Sequence, residues 1–530
     1  MKYFVPLHPN LKKLTYKRSM FHFPGRSKMV QTGAHLIEEG RDFRHARKYS
    51  PDKLFSRFVK LLIVLGITLT LWNIPTEWYG INGLTIVQQR IIAIFAFATL
   101  MWIMEIVSSW ATSVAVIGLM LLFTSDSGIK WMCDPDKVGA LLSYKGVMAT
   151  FADPVIMLFI GGFILAIAAT KTGLDVQLAK VLLKPFGTRS EMVLLGFLLI
   201  TGLFSMFVSN TATAAMMLTF LTPVFRQLPP EGKGRIALAL SIPVAANLGG
   251  MGTPIGTPPN TIAMKYLNAP IADGGLNLGL GFGQWMMFMF PLVVILLFIG
   301  WWLLKTLFPF SQKRIELEIE GEMKKDAHSY IVIVTFFVTV ALWLLDSVTG
   351  INSYTVALIP FVVFALTGVI GKRDLEQINW SVIWMVAGGF ALGYGLNKSG
   401  LAENAVESIP FGDFSPIAIL LISGAICYLL SNFISNSATA ALLMPILAFV
   451  CAAMGDTLAP IGGTPTVLIG VAIAASSAMV LPISTPPNAL AYATNLVQQK
   501  DMVRVGLIIG LISMALGYGL LYLIGTMHLL

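Results

Sequence analysis

Long stretches without Asp, Glu, Lys or Arg dominate the chain after residue 60. A single helix needs about 20 apolar residues to cross the hydrocarbon core of a bilayer. Most of the stretches fit one helix each, so the pattern predicts an all-α polytopic membrane protein with about eleven transmembrane helices. The stretches are 61–76, 91–104, 106–125, 154–170, 192–225, 236–264, 274–304, 327–345, 347–371, 377–397, 414–455, 457–499 and 505–530.

Four stretches are too long for one helix and carry helix-breaking words in their middles. The words are SNTATAA at 209–215, GGMGTPIGTPPN at 249–260, SNSATAA at 435–441 and LPISTPPN at 481–488. Two successive prolines remove two backbone donors and clash with the preceding turn. Irregular backbone at membrane depth survives only where it is buried in protein or lines a cavity. We therefore expect re-entrant hairpins at 192–225 and 414–455, and interrupted spanning helices at 236–264 and 457–499.

The same words reveal a duplication of the chain. IGGF at 160–163 recurs as AGGF at 387–390, and KTGL at 171–174 recurs as KSGL at 398–401. The hairpin words and the TPPN words recur in the same order, at nearly the same separation. Chance similarity between apolar segments would not keep this register over a hundred residues, so the sequence predicts two homologous halves.

Composition and charge place both halves in a lipid bilayer. The chain is 56% hydrophobic, has a mean hydropathy of +0.77 and carries 12% charged residues, against about 25% in soluble domains. The net charge of +9 arises in residues 1–60, which hold 14 Lys and Arg against four acids. We interpret this segment as a solvated arm that contacts anionic lipid, and not as a nucleic-acid site.

The distribution of Lys and Arg predicts the orientation. With the N-terminus in the cytoplasm, 30 Lys and Arg fall inside and six outside, which obeys the positive-inside rule. The six are Arg90, Lys130, Lys137, Lys145, Lys265 and Lys398. The C-terminus then lies outside a plasma or inner membrane, and the halves are inverted, which is typical of secondary transporters.

This orientation divides the chain into four parts. We predict a basic cytoplasmic tail at 1–57, a first membrane half at 58–308 and a cytoplasmic linker at 309–328. A second, inverted membrane half follows at 329–530. The hairpin at 192–225 enters from the inside and the hairpin at 414–455 from the outside.

From about residue 57 to 530, the chain resembles the divalent anion–sodium symporters, the INDY-type dicarboxylate and citrate transporters. The resemblance lies in the two hairpin tips, Ser-Asn-Thr and Ser-Asn-Ser, and in the two Pro-Pro-Asn breaks. It implies a homodimeric, sodium-coupled symporter of small dicarboxylates of the succinate, malate or fumarate type, working by an elevator motion. A sodium-independent dicarboxylate or citrate exchanger on the same fold is the alternative.

The resemblance also implies the site residues. The second tip has Ser437 in place of threonine, and Ser484 stands where relatives have alanine, which leaves substrate size and sodium stoichiometry open. Sodium ions would be the coupling ions and no resident cofactor is expected. The first sodium site would use Ser205, Ser209, Asn210 and Gly256; the second would use Ser431, Ser435, Asn436 and Ser484; the substrate would meet Asn210, Thr211, Thr257, Pro258, Asn436, Ser437, Thr485 and Pro486.

The residue types suit this chemistry without the family. Carbonyl, hydroxyl and amide oxygens ligate sodium, and helix N-termini attract anions. The four long stretches contain no Lys or Arg within their helix-breaking words, so an arginine clamp is not expected. Small residues also pack membrane helices closely, and that interpretation is preferred for an isolated ATAA word.

Two other classes of protein fit the sequence less well. An intramembrane protease would need an Asp pair, a Ser/His pair or a His-rich metal site at membrane depth, and the sequence offers none, so no enzyme is predicted. A channel is less compatible with two inverted halves that carry paired cation sites.

Overall fold

The computed structural model describes residues 51–270, 275–317, 321–408 and 415–527, which belong to one compact unit, Arg47–Leu530. Most of the predicted basic tail lies outside the described residues. The described part is helical and contains isolated β-bridges at Ser125–Leu142 and Arg189–Arg314, but no strand.

Nineteen helices of eight or more residues form the described part. They are α1 (Pro51–Asn73), α2 (Ile86–Met104), α3 (Ser109–Thr124), α4 (Pro154–Thr172), α5 (Leu174–Leu183), α6 (Ser190–Phe207), α7 (Asn210–Gln227), α8 (Lys233–Gly250), α9 (Pro258–Asn268), α10 (Phe282–Leu307), α11 (Ala327–Leu344), α12 (Leu358–Leu366), α13 (Trp380–Lys398), α14 (Leu401–Ser408), α15 (Pro416–Phe433), α16 (Asn436–Met454), α17 (Gly463–Ser477), α18 (Pro486–Ala493) and α19 (Gln499–Thr526). Shorter helices are Thr76–Tyr79, Pro135–Val138, Tyr144–Ala149, Thr150–Ala152, Lys184–Phe186, Asp346–Thr349, Ser353–Val356, Lys372–Leu375 and Gly455–Ile461.

Within the described residues, nine helices are long and apolar enough to cross a membrane. Three of them, Ser190–Phe207, Pro416–Phe433 and Asn436–Ile461, are arms of the predicted hairpins. The other six spans, the shorter helices Ser109–Thr124 and Ser353–Leu366, helix α13 and the two interrupted segments make eleven segments. The two hairpins are additional, and the third short apolar helix, Gly463–Ser477, belongs to the second interrupted segment. The prediction of an all-α polytopic membrane protein is therefore confirmed. Neither interrupted segment is among the nine helices, because each is divided between separate helices.

The breaks fall at the predicted words. The first hairpin turns at Val208–Ser209 between α6 and α7, and the second at Ile434–Ser435 between α15 and α16. The interrupted helices lose helical geometry between α8 and α9 and between α17 and α18, and each resumes at the first proline of its Pro-Pro pair.

The two halves repeat and face each other. Helices α4, α6 and α7 each recur 226 residues later as α13, α15 and α16. Contacts between halves are reciprocal: α7 packs on α18 and α16 on α9, while α8 packs on α18 and α17 on α9. Reciprocal contacts of this kind define a two-fold relation, which is the inverted-repeat transporter fold.

Glycines allow the hairpins and interrupted helices to touch backbone to backbone. Helix α8 packs along α6 with Gly249 directly on Gly202, and a Cβ on Gly249 would overlap the Gly202 carbonyl. Gly250 packs directly against the side-chain amide of Asn210, because a Cβ on Gly250 would lie 2.7 Å from Asn210 Oδ1. Close approach through small residues is the usual way to pack helices in lipid.

An ion pair joins the halves at the end of α4. Lys171 Nζ lies 2.6 Å from Asp374 Oδ2 and 2.8 Å from the Val369 carbonyl oxygen. Partial burial by itself would raise the pKa of Asp374, but the Lys171 ammonium and the Gly371 amide outweigh it and hold that pKa below its ordinary value. The carboxylate therefore stays charged at neutral pH.

We expect Gly249→Ala to destabilise the protein, because the added methyl group meets backbone that cannot rotate away. Overpacking of this kind costs about 1–3 kcal/mol, which lowers the midpoint of thermal unfolding in detergent. Gly66→Ala in α1 is the matched control, since a Cβ added to Gly66 would have nothing within 4 Å. Equal unfolding midpoints for the two variants would contradict the proposed backbone contact.

Candidate functional site

The first hairpin tip gathers oxygen atoms. Ser205 Oγ lies 2.6 Å from Asn210 Oδ1 and 2.7 Å from the Ala246 carbonyl oxygen of α8. A serine hydroxyl has one proton, so it can donate to only one of these two acceptors. The cluster therefore has more lone pairs than protons, which is the environment that a small cation stabilises.

The remaining predicted residues of this half lie around that cluster. Ser209 caps α7 by accepting a hydrogen bond from the Ala212 amide at 3.3 Å. Gly256 packs against the backbone of Gly250, and Gly250 in turn packs against the side-chain amide of Asn210. The structure therefore brings Ser205 and Asn210 into direct contact and connects Gly256 to them through Gly250.

The second tip holds two buried oxygens without hydrogen-bond partners among the described residues. They are Ser431 Oγ and Asn436 Oδ1, on the residues that correspond to Ser205 and Asn210. Ser431 is fully buried. A buried polar atom that lacks a partner costs about 1–3 kcal/mol, and a bound cation removes that cost. Ser435 caps α16 as Ser209 caps α7, with Ala438 donating at 3.2 Å.

Ser484 has a role in the local backbone. Its hydroxyl lies 2.9 Å from the Asn432 carbonyl oxygen and accepts from the Leu481 amide at 3.0 Å. The hydroxyl thus ties the break between α17 and α18 to the second hairpin. Its proton is used in that bond, so only a remaining lone pair is available to a cation.

The predicted substrate residues fall into two groups. Thr211 is exposed, and Asn210, Asn436 and Ser437 are half-buried, all at the starts of α7 and α16. The backbone amides of these first turns form the positive end of each helix dipole, which attracts an anion. The hairpin tips therefore carry the accessible donors.

The Thr-Pro pairs lie at the starts of α9 and α18. Thr257 and Thr485 are each 4% exposed, whereas Pro258 is half-buried and Pro486 exposed. The prolines occupy the first two positions of α9 and α18 and have no N–H to offer. The first two residues of each helix therefore offer no amide to an anion, and any donor at these helix starts comes from the residues that follow.

Sequence reasoning missed the two asparagines of the Pro-Pro-Asn words. Asn260 Nδ2 lies 3.0, 3.2 and 2.8 Å from the carbonyl oxygens of Gly250, Met251 and Thr253. Asn488 Nδ2 donates to the carbonyls of Met479 and Leu481 at 2.7 and 3.0 Å. These amides satisfy the carbonyls that each break releases. The sequence contained a signal for these two residues, because asparagine is the last residue of both copies of the Thr-Pro-Pro-Asn word.

Asn247 and Asn432 were also missed. Asn247, which is 2% exposed, lies on α8 and reaches across the halves: its Nδ2 is 3.1 Å from Thr485 Oγ1 and 3.2 Å from Asn488 Oδ1. Asn432 accepts the Ser484 bond and also receives the Val480 amide at 2.9 Å. Asn432 had a visible signal, because the word Ser-Asn occurs twice within SNFISN at 431–436. Nothing in the sequence pointed to Asn247.

No group of three or more His, Cys, Asp or Glu side chains that could hold a metal occurs in the part of the chain that the structure describes. The site is thus an uncharged set of oxygens and amides at the meeting point of two hairpins and two interrupted helices. This architecture defines a membrane transport protein of the inverted-repeat class.

Comparisons with known proteins identify the family. Residues 99–462 match the family model described as "Citrate transporter" (CitMHS), and the chain belongs to this family. The chain is 32% identical over 414 residues to the "Sodium-dependent high-affinity dicarboxylate transporter 3" of Caenorhabditis elegans, covering 67% of this chain and 71% of the relative. It is a transporter and not an enzyme, as the resemblance to the divalent anion–sodium symporters predicted.

Two further comparisons agree. The "Sodium-dependent dicarboxylate transporter SdcS" of Staphylococcus saprophyticus is 29% identical over 460 residues, covering 80% of this chain and 83% of the relative. The crystal structure of the YdaH transporter of Alcanivorax borkumensis covers 72% of this chain and 87% of its own, with a TM-score of 0.50 and 12% identity. At that identity the likeness concerns the fold alone.

We predict that Asn247 and Thr485 are energetically coupled. Asn247→Ala and Thr485→Val each remove the same buried hydrogen bond, so their effects on the unfolding midpoint should not add, with a coupling of about 0.5–3 kcal/mol. The control pair is Asn247→Ala with Thr219→Val, because Thr219 Oγ1 bonds only within its own helix, to the Ala215 carbonyl at 2.8 Å. Additive shifts in both pairs would show that the bond from Asn247 to Thr485 does not stabilise the break between α17 and α18.

Proposed function

We propose that the protein is a sodium-coupled symporter of small dicarboxylates. The observation that carries the proposal is the pair of oxygen-rich hairpin tips. At the first tip, the oxygens of Ser205, Asn210 and Ala246 have one hydroxyl proton between them. At the second tip, Ser431 Oγ and Asn436 Oδ1 are buried without hydrogen-bond partners among the described residues. The named activities of the curated relatives, sodium-dependent dicarboxylate transport, support the same assignment.

In this proposal each tip does two tasks. The serine hydroxyls, the asparagine oxygens and backbone carbonyls next to Gly256 and Ser484 ligate sodium. The asparagine amide groups, with Thr211 on one tip and Ser437 on the other, donate to the two carboxylates. Thr257, Pro258, Thr485 and Pro486 form the walls. Sodium bound at both tips neutralises the dianion, which no Lys or Arg within the four helix-breaking words can do.

Charge compensation then allows movement. An isolated charge at the bilayer centre costs at least about 2.5–3.5 kcal/mol, so the empty and the fully loaded site can cross more readily than a partly loaded one. This coupling makes uptake depend on sodium. The sodium-independent exchanger of dicarboxylate or citrate remains the second candidate, because the matching family model is described as a citrate transporter.

We expect Asn210→Ala and Asn436→Ala each to abolish uptake in proteoliposomes, because each removes a sodium-ligating oxygen and a carboxylate donor together. The measurement is uptake of labelled succinate with and without a sodium gradient, with citrate as a competitor. Asn73→Ala is the matched control, since Asn73 is exposed and bonds to Leu69 in its own helix. Near-normal uptake by either site variant would refute this site, and uptake without sodium by the wild type would support the exchanger.

We further propose an elevator motion of this transporter. The reciprocal packing of α7, α8 and α9 with α16, α17 and α18 supports one rigid transport unit. The spans that include 91–125 and 327–371 would form the fixed scaffold and the homodimer interface, with the N-terminus in the cytoplasm and the C-terminus outside.

Cysteine cross-linking tests this motion. Ala212 is exposed at the first tip and is a suitable position for one cysteine, in a chain whose Cys133, Cys427 and Cys451 are replaced. Partners are placed at successive turns of α2 and α3. We expect cross-links at two depths separated by at least two helical turns, about 11 Å, with sodium and succinate changing their ratio. Cross-links confined to one depth in all conditions would indicate rocking.

A further inference from the structure

Two arginines face each other where the linker between the halves crosses the base of the first hairpin, which is formed by the start of α6 and the end of α7. Arg189 and Arg314 are directly opposite in an antiparallel β-bridge, and the residues on either side of them are joined by backbone hydrogen bonds of 3.1 and 2.7 Å. Because the two arginines exchange no backbone hydrogen bond themselves, they form the closer kind of antiparallel pair, with Cα atoms about 4.5 Å apart. Their side chains therefore leave the backbone on the same face.

Side chains of the hairpin hold the linker in this register. Gln227, the last residue of α7, donates to the Glu316 carbonyl at 2.9 Å and accepts from the Glu316 amide at 3.0 Å. The Ser190 hydroxyl, at the start of α6, donates to the Gln312 carbonyl. Ile315, between these contacts, is 1% exposed. The linker cannot slip along the hairpin without breaking these bonds, so the two arginines stay opposite each other.

The chain leaves the positive charges of this pair uncompensated. Like charges directly opposite each other destabilise a pair of strands. Arg189 and Arg314 are exposed, and neither guanidinium has a hydrogen bond or an ion pair in the part of the chain that the structure describes. Of the neighbouring acids, Glu191 lies 3.6 Å from Lys305 Nζ, and Glu316 forms no ion pair among the described residues. The bridge therefore holds two unpaired positive charges together, and such a pair attracts an anion.

Tryptophans place this pair at the level of the lipid headgroups. Trp301 and the 59% exposed Trp302 lie near the end of the apolar helix α10, and tryptophan is enriched at the interface between membrane and water. Trp301 Nε1 donates to the Glu191 carbonyl at 2.8 Å, and Lys305 Nζ lies 4.0 Å from the centre of the Trp301 ring. Glu191 is only two residues from Arg189, so the arginine pair lies close to the same interface.

We propose that Arg189 and Arg314 bind the phosphate of an anionic phospholipid, and that this lipid holds the linker on the base of the first hairpin. Guanidinium groups present planar sets of N–H donors that match phosphate oxygens. A phosphate between the two side chains replaces their repulsion by two attractions, so lipid binding and the bridge stabilise each other. The predicted orientation places the pair at the cytoplasmic leaflet, where anionic lipids give the surface a negative potential. This site is separate from the hairpin tips and does not depend on which substrate they bind.

The test uses purified, delipidated full-length protein in a neutral detergent. Arg189→Gln and Arg314→Gln each remove one charge of the pair, whereas Arg314→Lys keeps the charge without the planar set of donors. Arg373→Gln is the matched control, because Arg373 is also exposed and predicted to be cytoplasmic but lies outside the bridge. Phosphatidylglycerol, phosphatidylcholine and inorganic phosphate are added separately. The apparent affinity for each is measured together with the midpoint of thermal unfolding.

We expect each Gln variant to bind phosphatidylglycerol about fivefold more weakly than the wild type, the contribution of one basic residue near an anionic surface. Arg314→Lys should lie between them, and Arg373→Gln should keep the wild-type affinity. Unchanged affinity in both Gln variants would overturn the lipid site, and an equal loss in Arg373→Gln would replace it with general surface attraction. Phosphatidylcholine or inorganic phosphate that stabilised the wild type as well as phosphatidylglycerol would overturn the assignment to an anionic lipid.

The unfolding midpoints distinguish lipid binding from a purely structural role of the arginines. Without lipid, each Gln variant should unfold at or above the wild-type midpoint, because one member of a repelling pair is gone. With saturating phosphatidylglycerol, each should unfold below the wild type, because the lipid stabilises the variants less. Midpoints below the wild type in both conditions would show that the arginines stabilise the fold directly. Midpoints that do not fall below the wild type with phosphatidylglycerol would also overturn the proposal.

Discussion

Every part of this transporter depends on how the interrupted backbone is satisfied inside the membrane. Hydrocarbon offers no water to a free carbonyl, so each break must find donors within the protein. Asn260 and Asn488 supply them, each directing one amide group at the carbonyls of its own break. Bonds from the breaks to the hairpins then fix the two elements together: Thr253 Oγ1 donates to the Met206 carbonyl, and Ser484 Oγ to the Asn432 carbonyl. Several carbonyls that the breaks release therefore have donors within the protein.

The two halves solve this problem differently, and the differences lie at the site. Met206 and Asn432 occupy equivalent positions 226 residues apart, yet their carbonyls are bonded by hydroxyls from different positions of the two breaks. Asn247 reaches the second break, whereas the position 228 residues later is Ala475, which cannot return the bond. The oxygen of Asn488 has donors, and the buried oxygen of Asn260 has none among the described residues. A duplicated fold therefore does not imply two equivalent cation sites, since side chains near each tip differ in the protons they supply.

Glycine links this polar chemistry to packing. Gly249 on Gly202 and Gly250 against Asn210 bring the interrupted helix so close to the hairpin that the Asn210 amide and the Ala246 carbonyl share one serine hydroxyl. A larger side chain at either glycine would separate these oxygens. Dispersion between closely packed backbones is a main source of helix association in lipid, so the same contact contributes to both stability and the site.

The sequence by itself determined the helical membrane class, the duplication and the positions of all four breaks, and the family resemblance grouped Ser205 with Asn210 at one tip. These features are local: charge-free stretches, Pro-Pro pairs and repeated words act within one or two helical turns. Only the tertiary structure decided which groups serve the breaks and which remain for a ligand. Asn247 meets Thr485 across 238 residues, and Thr485 is thereby committed to a structural bond, as Ser484 is to Asn432. Lys265 and Tyr266 of α9 line one cavity with Lys398 of α13, although 132 residues separate Tyr266 from Lys398. Such pairings depend on how helices cross in space, and hydrophobic periodicity along one helix carries no information about the polar group that faces it from another.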